Sequence, residues 1–172
     1  HKEVILCTYG DTMRVPTPKG LTLLTARSQG ADIRMVYSPT DAVELAAQNL
    51  DREVVFLAIG FETTTPATAL AITAAKHQGL TNFPCLVSHV LTPAAMNHIL
   101  STAPARGAQP LSGIVGPAHV STVIGSEAYR SVVQKYHIPL VIAGFEPLDM
   151  LAAILMLIEQ VNDNRADVEN EF

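Results

Sequence analysis

The sequence predicts an α/β fold in which parallel sheets are joined by crossover helices, a Rossmann-like arrangement of three layers. Short runs rich in β-branched residues alternate along the chain with helical stretches, which is the pattern of strand–helix–strand units. The tripeptide Gly-Phe-Glu closes two of the apolar runs, at residues 60–62 and 144–146, and helix-starting residues follow both copies. With 48% apolar residues, the chain of 172 residues can bury a substantial core. A doubly wound fold accounts for all three observations.

The alternation places six strands and six helices in order along the chain. The strands are predicted at residues 3–9, 32–38, 53–60, 83–89, 112–116 and 139–144. The helices are predicted at residues 20–29, 40–50, 66–78, 92–102, 122–136 and 147–162, with a loop at residues 103–110. Thr40 or Asp41 can cap the second helix. Thr65 can cap the third, with Pro66 in its first turn and Gly79 after its end.

The last predicted helix is apolar on almost every side. Between Leu148 and Ile158 the only polar residue is Asp149. Such a helix is typical of an element that is buried all round. We therefore expect its spare face to be covered by a missing segment or by another subunit. The polar tail that follows, residues 162–167, is expected to fray or to lead onward.

Charge and hydropathy exclude two classes of protein. The net charge is −5 and no Lys/Arg cluster is present, which argues against a nucleic-acid-binding protein. The longest apolar stretch, residues 150–158, falls far short of the roughly 20 residues that a membrane span needs. No signal peptide is expected in this sequence, which begins without Met and almost directly in a predicted strand. We interpret the chain as a piece of a longer protein.

The two cysteines, Cys7 and Cys85, fit neither a disulfide framework nor a Cys-x-x-Cys metal clip. Each lies inside an apolar run, so both are interpreted as small buried residues. A chain with this cysteine usage is typical of a reducing compartment, and a cytoplasmic location is predicted.

Polar side chains follow the predicted strands at the points where the strands end. Parallel strands bring their carboxyl ends to one edge, and ligands of open α/β sheets bind there. We expect five residues to converge at that edge: Asp11, Glu62, His89, His119 and Glu146. Glycines beside them allow the backbone to approach a ligand closely.

Each of these residues also has a purely structural interpretation. Glu62 and Glu146 can cap the helices that follow them. His89 and His119 can be hydrogen-bonded polar groups at the starts of loops, and Asp11 can pair with Arg14 within a turn. The remaining internal histidines are predicted to be surface residues of helices: His77, His98 and His137.

No motif of a familiar chemistry is present. The sequence contains no Gly-x-Gly-x-x-Gly after a strand, no Walker-type Gly-Lys-Ser/Thr and no Gly-x-Ser-x-Gly elbow. Two His and two Glu are types that bind metal ions, but their spacing depends wholly on the fold, so no metal site is predicted.

Four segments nevertheless resemble one family, the HypD hydrogenase maturation factors. They are Gly10-Asp11-Thr12-Met13-Arg14-Val15-Pro16, Gly60-Phe61-Glu62-Thr63-Thr64, Gly116-Pro117-Ala118-His119-Val120-Ser121 and Gly144-Phe145-Glu146-Pro147-Leu148-Asp149. Residues 31–39 and 51–56 are also similar to the family, so the resemblance extends over essentially the whole chain. The chain departs from the family pattern at Thr17 and Ala118, where the family commonly has glycine.

The resemblance implies a scaffold function. With a HypC-type partner and other maturation proteins, HypD proteins assemble the Fe(CN)2CO centre of [NiFe]-hydrogenase, and they hold a [4Fe-4S] cluster. The family's iron-binding, redox and cluster cysteines lie in motifs that this chain lacks. The fragment is therefore expected to hold no cofactor and to be non-catalytic alone.

The resemblance also implies a domain organisation. Residues 1–50 correspond to the carboxyl-terminal part of a first α/β domain, and residues 51–172 to a second, similar domain that ends in the long apolar helix. The cleft between them is expected to be the site where iron and its diatomic ligands are handled. The residues expected to line it are Asp11, Arg14, Glu62, Thr63, Thr64, His89, His119, Ser121, Glu146 and Asp149.

Two other functions remain open from the residues alone. One is a free-standing α/β module that binds a small molecule or an anion at the same sheet edge. The other is an enzyme with Glu62 or Glu146 as general base.

Overall fold

The structure, a computed structural model, describes residues 3–102 and 111–172. The predicted loop at residues 103–110 lies outside the described residues. The chain forms two compact units, His1–His89 and Val90–Phe172. Each unit has its own parallel sheet, which confirms the predicted α/β fold class.

The first unit contains four parallel strands in the spatial order β2-β1-β3-β4. Its elements in chain order are β1 (Val4–Thr8), a 3-10 turn (Thr12–Arg14), α1 (Leu23–Ser28), β2 (Ile33–Met35), α2 (Pro39–Gln48), β3 (Glu53–Gly60), α3 (Thr65–His77) and β4 (Cys85–His89). The apolar residues of the two central strands form the core, where Ile5, Val54 and Phe56 are fully buried. The ring of Tyr9 packs edge-on against Phe56, with 5.6 Å between ring centroids.

The second unit contains three parallel strands in the order β5-β6-β7. Its elements are α4 (Thr92–Thr102), β5 (Ile114–Pro117), α5 (Ala118–Ile124), a 3-10 turn (Ser126–Tyr129), α6 (Arg130–Tyr136), β6 (Leu140–Ala143), α7 (Pro147–Asn162) and β7 (Val168–Asn170). The central strand β6 is buried along its whole length. Tyr129, fully buried, packs with Val133 and Leu140 in the core.

Six predicted strands are present, but one predicted helix is divided. The helix expected at residues 122–136 is replaced by α5, a 3-10 turn and α6. Gly125 separates α5 from the turn with φ of 77°, a conformation that interrupts an α-helix.

Residues 162–167 were expected to fray or to lead onward, and they lead into a seventh strand, β7, that the sequence did not predict. Residues 168–170 pair with β6. The Gln160 side-chain oxygen accepts a hydrogen bond from the Asp167 amide at 2.8 Å and fixes the approach to this strand. Arg165 adds ion pairs to Asp163, Asp167 and Glu169.

The caps of two helices differ by a few residues from those predicted. Ser38 caps α2 and forms a capping box with Asp41, whose carboxylate accepts from the Ser38 amide at 3.1 Å. Thr64, not Thr65, is the N-cap residue of α3.

The division between the units falls after His89, whereas the resemblance places a domain boundary at residue 50. The difference arises because β3 pairs directly with β1, so strands from both sides of residue 50 share one sheet. The boundary for the family's domains stays a prediction.

Helix α7 is not buried all round within the second unit, and the expected cover of its spare face by a missing segment or another subunit stays a prediction. Ala153 and Gln160 of α7 are fully buried inside the second unit. A row of large apolar side chains on another face of the helix is exposed. Among the described residues, no helix combines the length and the apolar character that crossing a membrane requires.

Candidate functional site

A cavity of about 650 Å³ opens at the carboxyl-terminal edge of the first sheet. It lies where β1 and β3 end, the place at which open α/β sheets bind ligands. It is lined by Tyr9, Asp11, Thr12, Tyr37, Ser38, Pro39, Ile59, Gly60, Phe61, Thr63, Thr64 and Ala67. We call this the hydroxyl cavity, because six of its twelve lining residues are Ser, Thr or Tyr and carry a hydroxyl group.

One wall of the hydroxyl cavity is the first Gly-Phe-Glu turn. Gly60 has φ of +153°, outside the range that other residues readily adopt. The hydroxyls of Thr64 and Thr65 both donate to the Phe61 carbonyl oxygen, each at 3.1 Å. These bonds connect the strand end to the first turn of α3 and hold the turn against the cavity.

The opposite wall comes from the residues that follow β1 and β2. The Asp11 carboxylate accepts a hydrogen bond from the Thr12 amide at 2.7 Å and caps the 3-10 turn. Arg14, at the end of that turn, is exposed and does not line the cavity. Ser38 accepts from the Thr40 amide at 3.1 Å as the cap of α2. The Thr40 amide at the start of α2 is thus already engaged by the helix cap.

The hydroxyl cavity is rich in groups that form hydrogen bonds. Besides its six hydroxyl-bearing residues, its lining includes one carboxylate, that of Asp11. Burial, with a contribution from the Asp11 carboxylate, raises the pKa of the Tyr9 phenol. Tyr9 therefore stays protonated at neutral pH and is able to donate a hydrogen bond.

Two further predicted residues lie beside this cavity without lining it. Glu62 is buried, with 6% of its surface exposed. His89 ends β4 directly opposite Gly60 in the strand register. Its Nε2 atom is buried and has no hydrogen-bond partner among the described residues. This nitrogen is therefore able to accept or donate a hydrogen bond to a ligand.

The second Gly-Phe-Glu turn lies at the carboxyl end of β6, in the second unit. Phe145 packs against the ring of His119 with 5.0 Å between centroids. Glu146 is the N-cap residue of α7, but its side chain makes no capping hydrogen bond. The structural interpretation of Glu146 as a capping side chain is therefore wrong, and its carboxylate is exposed.

A smaller cavity of about 270 Å³ lies at the same edge of the second sheet. Ser121 lines it, and the Ser121 hydroxyl donates to the Pro117 carbonyl oxygen at 2.8 Å. Ala118 begins α5 and also lines this cavity. It does not have a positive φ, so its methyl group introduces no backbone strain where the family commonly has glycine.

The structure brings together only some of the residues predicted to form one site. Asp11, Thr63 and Thr64 share the hydroxyl cavity. The convergence of all strand ends at one edge is wrong, because the strands form two separate sheets and each sheet has its own carboxyl edge. A common cleft that also includes His119, Ser121, Glu146 and Asp149 stays a prediction.

Four hydroxyl-bearing residues of the hydroxyl cavity were not among the predicted cleft residues: Tyr9, Thr12, Tyr37 and Ser38. Tyr9 directly follows β1, and Tyr37 and Ser38 lie two and three residues after the end of β2. Position relative to the strand end was the available signal. The three remaining internal histidines, His77, His98 and His137, are exposed, as predicted.

The residues of this chain do not fit a [4Fe-4S] cluster. Such clusters are held by Cys thiolates, usually four, and the sequence contains two cysteines. Cys7 and Cys85 are both opposite Phe56 in the register of the first sheet, two strand spacings apart, which is about 10 Å. Among residues 3–102 and 111–172, no three His, Cys, Asp or Glu side chains are grouped as metal ligands would be.

The chemistry of Cys7 also differs from that of a metal-binding thiolate. Burial is the main cause that raises the pKa of the Cys7 thiol to about 11, so the thiol is protonated at neutral pH. Burial likewise raises the pKa of Cys85.

Comparison with known proteins gives the family. The HypD family, described as "Hydrogenase formation hypA family", matches residues 1–172. The chain is 61% identical over 170 residues to the hydrogenase maturation factor HypD of Azotobacter vinelandii, covering 98% of the chain and 45% of that protein. It is 60% identical over 171 residues to the hydrogenase expression/formation protein HupD of Azotobacter chroococcum, covering 99% of the chain and 45% of that protein.

A third relative is the HypD of Cupriavidus necator, with 58% identity over 174 residues, 100% of the chain and 46% of that protein. The chain thus spans about half the length of the curated relatives it matches. With a match along its whole length and relatives of this identity, the chain belongs to the HypD family of hydrogenase maturation proteins.

Proposed function

We propose that this chain is the central part of a hydrogenase maturation scaffold. With a HypC-type partner, the scaffold assembles the Fe(CN)2CO centre of [NiFe]-hydrogenase in the cytoplasm. The observation that carries the proposal is the family match along residues 1–172. The relatives named as hydrogenase maturation factors support a function in the same process.

Within this function, the residues of the chain bind and orient the iron cargo. The hydroxyls of Tyr9, Tyr37 and Ser38 provide hydrogen-bond donors for polar ligands of the iron, and a protonated Tyr9 is a donor at neutral pH. The thiol chemistry belongs to cysteines outside this chain, because Cys7 is buried and protonated. The chain then lines the assembly site and supplies hydrogen bonds, but not the thiol groups.

A pair of variants on one helix tests the function of the hydroxyl cavity. Ala67 and Ala69 are both exposed on α3, but only Ala67 lines the cavity. The full-length protein carrying Ala67→Leu or Ala69→Leu is expressed in a strain that lacks its own HypD gene, and hydrogenase activity is measured. We expect Ala67→Leu to reduce maturation and Ala69→Leu to leave it at the wild-type level.

Two results contradict the proposal. If the wild-type full-length protein does not restore hydrogenase activity although it is expressed and folded, the maturation function is wrong. If Ala67→Leu matures hydrogenase as well as Ala69→Leu does, the hydroxyl cavity has no part in it.

The partner is tested separately by binding. A HypC-type protein is titrated into the full-length protein, and the dissociation constant is measured by calorimetry. We expect saturable binding with one partner per chain. Restored maturation without measurable binding would leave the scaffold function in place and overturn the partnership.

A further inference from the structure

Helix α7 presents an exposed apolar stripe to its surroundings. The stripe consists of Leu148, Leu151, Ile154, Leu155, Ile158 and Val161, each between 44% and 77% exposed. These residues lie three or four positions apart, so they occupy one face of the helix. We call this face the α7 stripe. It contains no charged side chain, and it lies on a different face from the buried Ala153 and Gln160.

The spacing of the α7 stripe indicates that a helix covers it. Leu148, Leu151, Leu155 and Ile158 follow each other at intervals of three, four and three residues, the pattern of a helix-packing seam. Side chains in this pattern leave holes into which the apolar residues of a second helix insert.

A groove beside the stripe strengthens this inference. It has a volume of about 380 Å³ and is lined by Ile154, Leu157, Ile158, Val161 and Asn162 of α7 together with Ser112 and Gly113. Gly113 lies close to the helix, since a Cβ atom built on it would be 3.1 Å from a methyl group of Leu157. The volume is large enough for a Leu or Phe side chain to enter.

We propose that the α7 stripe is the docking surface for an amphipathic helix of the same polypeptide, from the part of the full-length protein outside these 172 residues. The chain covers 45% of the length of its Azotobacter vinelandii relative. More than half of such a protein therefore lies outside the matched region and is available to supply the helix. The proposal rests on family membership and not on the proposed maturation function.

The exposed area favours a tethered segment over a second copy of the chain. From the exposed fractions, the six side chains offer on the order of 500 Å². Stable interfaces between separate proteins bury about 800 Å² on each partner. A segment of the same polypeptide needs less area, because the connection gives it a high effective concentration at the stripe.

Site-specific photocross-linking identifies the occupant directly. A benzophenone amino acid replaces Leu155 in the full-length protein, and the matched control carries it at Leu70, a leucine of α3 that is 71% exposed. After irradiation, cross-linked peptides are mapped by mass spectrometry. We expect the Leu155 position to give an intramolecular cross-link to a peptide outside the 172 residues, and the Leu70 position not to label that peptide.

Other outcomes overturn the proposal. A cross-link to a second copy identifies a dimer, and a cross-link to another protein identifies a partner surface. The absence of a cross-link above the Leu70 control, in protein with wild-type circular dichroism, means that the stripe is uncovered.

Thermal unfolding gives an independent check. Leu155→Glu in the full-length protein is expected to lower Tm by roughly 5 °C, since a charge would be buried under the docked helix. Leu70→Glu is expected to shift Tm by less than about 2 °C. Equal shifts for the two variants contradict the proposal.

Discussion

The side-chain oxygen of Thr64 lies in the space that a Cβ atom on Gly60 would occupy. The second Gly-Phe-Glu turn repeats this relationship with a different side chain, because the Asp149 carboxylate lies where a Cβ on Gly144 would be built. In both turns the glycine allows the first turn of the next helix to close onto the strand end. The two turns differ in backbone conformation, since only Gly60 has a positive φ.

This difference leads to a prediction for the first turn. Gly60→Ala should destabilise the protein by about 3 kcal/mol, because it adds backbone strain to a steric clash with Thr64. Gly79→Ala is the matched control, since Gly79 also has a positive φ but no atom lies within 4 Å of the position that an added methyl group would take. The control should cost only about 1 kcal/mol. Urea denaturation measures both, and equal losses would contradict the steric explanation.

A second substitution is expected to restore the lost stability more fully in the second turn than in the first. Gly144→Ala introduces the clash with Asp149 without a positive φ, so adding Asp149→Ala should restore most of the lost stability. In Gly60→Ala, adding Thr64→Ala should restore only part, because the backbone strain remains. A double-mutant cycle by urea denaturation measures the two coupling energies. Full rescue in both turns, or in neither, would show that φ does not distinguish them.

The sequence predicted the parts of this fold that depend on local chemistry. The Gly-Phe-Glu turns, the strands before them and the helices after them are where the pattern places them. The sequence did not predict that β4 and β5 belong to different sheets, because strand pairing depends on contacts that are distant in sequence. It also missed β7, since two of its three residues, Glu169 and Asn170, are polar. Arg165 pairs with Glu169, and Gln160 binds the Asp167 amide just before the strand. The position of Tyr37 and Ser38 after a predicted strand was visible in the sequence, but their place in the hydroxyl cavity also depends on the pairing of β2 with β1.

The buried thiol of Cys7 predicts that stability falls in alkaline solution. Burial raises its pKa from the usual value near 9 to about 11 in the folded protein. Below pH 9 the thiol is protonated in both states and its effect is constant. Between pH 9 and 11 the unfolded state loses the proton first, so the free energy of unfolding should decrease by about 3 kcal/mol.

Cys7→Ala isolates this effect from other groups that titrate in the same range. The variant should lose the Cys7 contribution to the pH dependence, although its stability at pH 8 is lower because of the cavity it creates. Cys85→Ala serves as the control, because Cys85 is only partly buried. If wild type and Cys7→Ala lose the same free energy of unfolding from pH 9 to 11, folding does not raise the pKa of the Cys7 thiol.

The buried amide of Asn82 connects two segments of the first unit. Its Nδ2 lies 2.9–3.0 Å from the carbonyl oxygens of Ala46, Asn49 and Arg52, where α2 ends and β3 approaches. Asn82→Ala should cost about 2 kcal/mol, because buried carbonyls lose their donor. Asn82→Asp should cost more at pH 7, about 4 kcal/mol, since it places a carboxylate against three carbonyl oxygens.

The order of these two variants should depend on pH. At pH 4 protonation of the introduced carboxyl group removes the charge and provides a donor, so the gap between Asn82→Asp and Asn82→Ala should narrow. Guanidinium denaturation at the two pH values measures the gap. A constant gap would mean that the amide donors are not what holds these carbonyls.

Substitution of His89 is expected to change hydrogenase maturation without lowering the stability of the protein. Its buried Nε2 has no partner among the described residues and lies at the end of β4, opposite Gly60. An unpaired buried nitrogen stabilises nothing, so His89→Phe should leave the free energy of unfolding unchanged or raise it by about 1 kcal/mol. If the nitrogen holds a polar ligand of the iron cargo, the same variant should reduce hydrogenase maturation by about tenfold, the effect of one lost hydrogen bond.

His98→Phe is the control for this experiment, because His98 is exposed on α4. It should change neither stability nor maturation. A His89→Phe protein that is markedly less stable would show that Nε2 has a structural partner, and the loss of maturation would then have no bearing on ligand binding. A stable variant with full maturation would exclude His89 from the site. Only an unchanged or raised free energy of unfolding together with reduced maturation assigns the His89 Nε2 to the cargo.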